Sequence, residues 1–100
     1  MLEPNLWECR FDYSDFLAQH GHLQEAIDTL LEGIQIDPGR TSLIYRYGAL
    51  LLEAGRRKSG LEVLEQALAQ DFDLHAELLE YNPLLERDSE LNRLIDRYRP

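Results

Sequence analysis

Gly21–Pro38, GHLQEAIDTLLEGIQIDP, reads as one amphipathic helix with its own start and stop signals. Leu23, Ile27, Leu30 and Ile34 recur three and four residues apart, which places them on a single helical face. Gly21, Ala26 and Gly33 lie among them, small enough for that face to approach a neighbouring helix closely. Asp37-Pro38 ends the run, because proline has no amide to donate and restricts the residue before it.

The same pattern returns 34 residues later. Tyr13 maps onto Tyr47, Ser14 onto Gly48, Leu17 onto Leu51, Gly21 onto Gly55, Ile27 onto Leu61, Leu30 onto Leu64 and Gly33 onto Ala67. A second equal step carries Ile44 to Leu78, Tyr47 to Tyr81 and Leu51 to Leu85 before Asn82-Pro83 interrupts it. Size and polarity survive each step, so the chain reads as a single repeat-built domain with units at about 7–40 and 41–74 and a partial third helix plus a capping helix at about 75–98.

Taken jointly, these positions resemble the tetratricopeptide repeat (TPR) family. Ser14 and Gly48 match its small residue in the first helix, Gly21 and Gly55 its inter-helix turn, Ala26 and Gly60 its helix crossing, Gly33 and Ala67 its second small residue, and Pro38 its terminal proline. Leu17 and Leu51 stand where the family often has Tyr, Arg10 and Ile44 where it favours Trp, and Phe72 in place of the second proline. The resemblance implies an all-α, right-handed superhelical stack of antiparallel helix pairs. It also implies a non-enzymatic protein-interaction module, with the first helix of each unit lining a concave groove.

The matching groove positions are Phe11, Asp15, Ala18 and Gln19, then Ser42, Tyr45, Arg46, Ala49, Leu52 and Glu53, then Ala76, Leu79 and Glu80, with Phe11, Tyr45, Leu52 and Leu79 as an apolar floor. Family members that grip a C-terminal carboxylate place Lys and Asn at the start of the groove. Phe11 and Asp15 stand there instead, and an acidic side chain repels such a ligand. A basic or apolar segment of a partner protein is the expected occupant. The competing expectation is a homodimer or an intramolecular scaffold. Repeats bury their apolar faces only against neighbours, and Leu6, Trp7, Phe11 and Phe16 mark the first helix as a self-interface.

Local signals set the remaining elements. An irregular lead-in, Leu2–Leu6, contains Pro4 and precedes a first helix over about 7–19. Thr41 is a cap for a third helix over about 42–53 that is apolar on nearly every side, as the middle of a stack should be. A fourth helix runs over about 57–70, Asp73 caps a fifth that stops near Tyr81, and Asp88 caps a last amphipathic helix that serves as the lid.

Composition excludes several functions. The net charge is -9 with 44% hydrophobic residues, enough apolar content for a core, whereas a nucleic-acid binder needs a basic stripe. Arg56-Arg57-Lys58 is the single basic cluster and reads as solvated or paired within the fold, with Glu53 or Glu62 as partners. The opening is acidic and polar and no apolar run reaches about 18 residues, so neither a secretory signal nor a membrane span is expected. Cys9 is the sole cysteine, compatible with a reducing cytoplasm, and reads as an ordinary half-buried thiol. His20 and His22 flank a turn as solvated imidazoles, lacking the further ligands a metal needs. No phosphate loop or nucleophile motif is present, so no catalytic residue and no cofactor is expected.

Overall fold

Gly21 and Gly55 both adopt the left-handed backbone, with φ of 83° and 79°. Each closes the same cap. His22 N–H donates to the Leu17 carbonyl at 2.8 Å and Gly21 N–H to Ala18 at 3.3 Å, and the counterparts 34 residues on run from Arg56 to Leu51 at 2.9 Å and from Gly55 to Leu52 at 3.0 Å. These paired bonds satisfy the last carbonyls of a helix and require a residue at ease with positive φ. The chain is thereby folded back on itself twice by one device.

The computed structural model describes residues 6–100, with side chains from Trp7 onward. Helix α1 spans Leu6–Gln19, α2 Leu23–Ile36, α3 Thr41–Glu53, α4 Arg57–Gln70, α5 His75–Tyr81 and α6 Ser89–Tyr98, and 3-10 turns at Phe72–Leu74 and Pro83–Arg87 flank α5. The expected lead-in at Leu2–Leu6 lies outside the described residues except for Leu6, whose backbone opens α1. Neighbours in sequence are neighbours in space: α1 packs on α2, α2 on α3, α3 on α4 and α5, and α4 on α6.

Helix α3 is shared by two core layers. Leu43, Leu50 and Leu51 join Leu17, Ala26, Ile27 and Leu30 of the first helix pair. Ile44, Tyr45 and Ala49 join Leu64, Ala67 and Leu68 of α4 and Leu78, Leu91, Leu94 and Ile95 beyond it. An all-round apolar helix needs neighbours on all sides, and the stack supplies them.

Helix pairs cross where side chains vanish. In the first pair Ser14 is fully buried, and its hydroxyl donates to the Ala26 carbonyl at 3.1 Å. In the second the equivalents are Gly48 and Gly60, and a Cβ on either would stand 3.2–3.3 Å from the other's carbonyl oxygen. The repeat thus reuses one close crossing, bridged by a hydroxyl in the first pair and by bare backbone in the second.

Two expected caps are different in the fold. Thr41 is the first residue of α3, not its cap; it is buried, and its hydroxyl accepts from Gln70 Nε2 at 2.7 Å, so a bond to α4 takes the oxygen that a cap would have used. Asp73 lies inside the Phe72–Leu74 turn and Leu74 precedes α5, with no side-chain cap on that helix. Asp88 does cap α6, accepting from Leu91 N–H at 3.1 Å. The lid's buried face is Leu91, Leu94 and Ile95, while Glu90, Asn92, Arg93, Asp96 and Arg97 are exposed.

Two residues of the basic cluster, Arg56 and Arg57, bond within the fold, though not to Glu53 or Glu62. Arg57 reaches forward to the lid, Nη2 to Asp88 at 2.6 Å and Nε to Glu90 at 2.8 Å, and Arg56 donates to Gln24 at 2.6 Å. Glu53 and Glu62 take no part in these bonds. Arg57 therefore ties α4 to the start of α6.

Candidate functional site

Arg46 is the hub of the surface built by α1, α3 and α5. Its side chain is 13% exposed and forms an ion pair with Asp15 of α1. The guanidinium carbon lies 4.4 Å from the Phe11 ring centroid and 3.9 Å from that of Tyr81, so the cation is held between two aromatic faces. Arg suits this position because its planar, weakly hydrated guanidinium can stack and pair at once. Burial first, and then the hydrogen bond to Glu53, push the Tyr81 phenol well above its ordinary range.

Beside the hub is a cavity of about 250 Å³ lined by Trp7, Glu8, Phe11, Asp12, Ser42 and Glu77. Trp7 meets Phe11 edge to face at 6.5 Å, and Arg40 lies over the indole ring at 4.8 Å. The indole N–H is buried with no acceptor among the described residues. Neither Asp12 nor Glu77 has a cation within ion-pair distance among the described residues. An aromatic floor is thus rimmed by carboxylates.

Of the residues expected to line a groove, Phe11, Asp15 and Arg46 converge. Tyr45 and Ala49 do not reach the surface: they are 1% and 2% exposed, and Tyr45 donates its hydroxyl to the Asp71 carbonyl at 2.7 Å. Burial, followed by the nearby Asp71, Asp73 and Glu77, raises the Tyr45 phenol far above its usual value. Leu52 lies over Gly60 at the seam with α4, and Leu79 is half-buried against the second core layer. The expected apolar floor is therefore core at Tyr45 and seam at Leu52. Ser42, also expected in the groove, lines the cavity with Trp7 and Glu77, and Tyr81 stands at the Arg46 hub. Tyr81 is the third-unit counterpart of Tyr47, and both rings pack half-buried against the first core layer, so only the contact with Arg46 sets Tyr81 apart.

The expected self-interface also divides. Trp7 and Phe11 face the cavity, Phe16 is 53% exposed elsewhere on α1, and the side chain of Leu6 lies outside the described residues. Cys9 is exposed rather than half-buried. His20 and His22 are exposed, His20 Nδ1 lying 2.8 Å from the Phe16 carbonyl, and no group of three His, Cys, Asp or Glu that could hold a metal occurs among the described residues. A second cleft, about 600 Å³, opens between α4 and α6 over Leu61 and Leu94. Its charges are largely matched: Arg57 is paired as above, and Glu65 accepts from the Tyr98 hydroxyl at 2.8 Å and from Arg97 at 3.4 Å.

A sequence profile of the tetratricopeptide repeat matches residues 17–80, more than half of the chain. The chain belongs to the tetratricopeptide repeat family. A comparison with curated protein sequences finds no match. The matched segment starts within α1, contains α2, α3 and α4 whole and ends within α5, so the TPR region includes the shared central helix and leaves the α6 lid outside it. TPR repeats are in general protein-interaction modules. Among the described residues of this TPR chain, no helix is long and apolar enough to cross a membrane.

Proposed function

We propose that this TPR domain, two repeats at about 7–40 and 41–74 closed by the helices at about 75–98, is a non-enzymatic interaction module of the cytoplasm. Its groove on α1, α3 and α5 takes a basic segment of a partner protein, with apolar residues flanking the basic ones. The observation that carries this reading is the acid-rimmed aromatic cavity of Trp7 and Phe11 with Glu8, Asp12 and Glu77. Arg46 beside it illustrates the chemistry, since a guanidinium stacked on aromatic rings with a carboxylate at its edge is what an incoming Arg would find at the cavity. The overall charge of -9 would steer such a ligand in.

Trp7 is the single tryptophan, so its emission reports on the cavity directly. Titration with an Arg-rich, Leu-containing peptide should shift that emission, with an affinity that falls as salt rises. Asp12→Lys and Glu77→Lys should each weaken binding by about tenfold or more. Equal binding of an acidic peptide of the same length, or indifference to both substitutions, would overturn the reading.

A further inference from the structure

Two arginines of the chain already lie on the rings of the aromatic floor, and each has its own carboxylate. Arg40 lies over the Trp7 indole at 4.8 Å and pairs with Asp37 at 3.0 Å. Arg46 lies over the Phe11 ring at 4.4 Å and pairs with Asp15. The fold thus uses one combination twice, a guanidinium on an aromatic ring with an acid beside it. That combination suits a cation which is flat, weakly hydrated and always charged.

The cavity of about 250 Å³ sets the same two rings beside Asp12 of α1, Ser42 of α3 and Glu77 of α5. Asp12 and Glu77 are exposed, and neither pairs with a cation among the described residues. Every Lys and Arg of the sequence lies within those residues, so both acids remain to be met by a cation from elsewhere. The volume is below the roughly 300–1,000 Å³ of sites for drug-sized ligands, which fits a single side chain.

We infer that this cavity is a pocket for one arginine side chain of the partner segment, and that it selects arginine over lysine. The inference rests on the groove reading above and adds to it the identity of the basic residue. The acceptors come from three helices: a carboxylate on α1, a hydroxyl on α3 and a carboxylate on α5. A guanidinium carries five N–H donors in one plane, so it can meet acceptors on separate sides while its face lies on a ring. An ammonium has three donors on one point and no face, and it gives up a tighter hydration shell on entry.

Three peptides test this through the emission of Trp7. They share one Leu-containing sequence and carry arginine, lysine or citrulline at every basic position, citrulline keeping the plane of arginine without its charge. The arginine peptide should bind the wild-type domain about tenfold or more tighter than either of the others. In the double variant Asp12→Asn, Glu77→Gln the arginine-over-lysine ratio should fall to within about threefold, because the acids that hold the guanidinium plane are gone. Both side chains are exposed and unpaired, so the far-UV helical spectrum should not change. Equal binding of the arginine and lysine peptides, or a preference that persists unchanged in the double variant, would overturn the inference and leave the basic-segment reading standing. Failure of all three peptides to bind the wild-type domain would overturn that reading and the inference together.

Discussion

The guanidinium of Arg46 lies over the ring of Tyr81, its central carbon 3.9 Å from the ring centroid. With Phe11 4.4 Å away and Asp15 as its ion-pair partner, this one side chain joins α1, α3 and α5. Its planarity matters as much as its charge. Arg46→Ala should destabilise the domain by about 2–3 kcal/mol, from two lost stacking contacts and an uncompensated half-buried Asp15. Arg46→Lys should cost roughly half of that, because an ammonium keeps the charge without the flat face. Urea unfolding of both variants checks the order, and an equal cost for Lys and Ala would deny the stacking its role.

Gly48 and Gly60 occupy one helix crossing but should respond differently to alanine. A methyl at Gly48 would meet the side chain of Leu64 at 2.6–2.7 Å, and Leu64 is fully buried with nowhere to move. At Gly60 it would meet the end of the half-buried Leu52 at 2.8 Å, which can turn aside. Gly48→Ala should therefore cost about 1–3 kcal/mol net. For Gly60→Ala, the helix-propensity gain of about 1 kcal/mol should offset the strain and leave stability nearly unchanged. Thermal melts should separate the pair, with a fall of roughly 4–8 °C for each kcal/mol lost.

Asp88 makes the lid sensitive to acid. The hydrogen bond from Arg57 lowers its carboxyl pKa, burial opposes that, and the Leu91 N–H adds to the lowering. The folded value lies below the unfolded one, so the stabilisation is present above about pH 3.9 and is lost as pH falls through the folded value. Asp88→Ala should cost about 1–2 kcal/mol at neutral pH, and the gap from wild type should close in strong acid. Denaturant titrations at several pH values read both.

Tyr45 and Tyr81 work in the opposite direction. Burial raises both phenols, so the neutral form is favoured by folding. Their contribution is complete below the unfolded value near 10 and is lost as pH rises beyond it. In an alkaline titration followed by phenolate absorbance, Tyr45 and Tyr81 should ionise only together with loss of helical signal. Ionisation of Tyr45 and Tyr81 before any unfolding would contradict this.

The helices were legible because their causes are local. Leu23–Ile36 and Arg57–Gln70 fall where periodicity and the flanking glycine turns put them, since face spacing and the need for positive φ belong to neighbouring residues. The repeat spacing, the fold class and the Asp88 cap follow from the same short-range chemistry. The tertiary structure alone decided which side of α1 and of α3 meets solvent. An all-round apolar helix such as α3 has no polar face to orient it, so adjacent Tyr45 and Arg46 could be told apart as core and surface only once α1 and α5 were in place. Thr41 lost its capping role to Gln70 for the same reason, because that contact joins residues far apart in sequence. Sequence thus determined the repeated unit, and the stacking of the helices determined which residues meet to form the aromatic cavity and which are buried between layers.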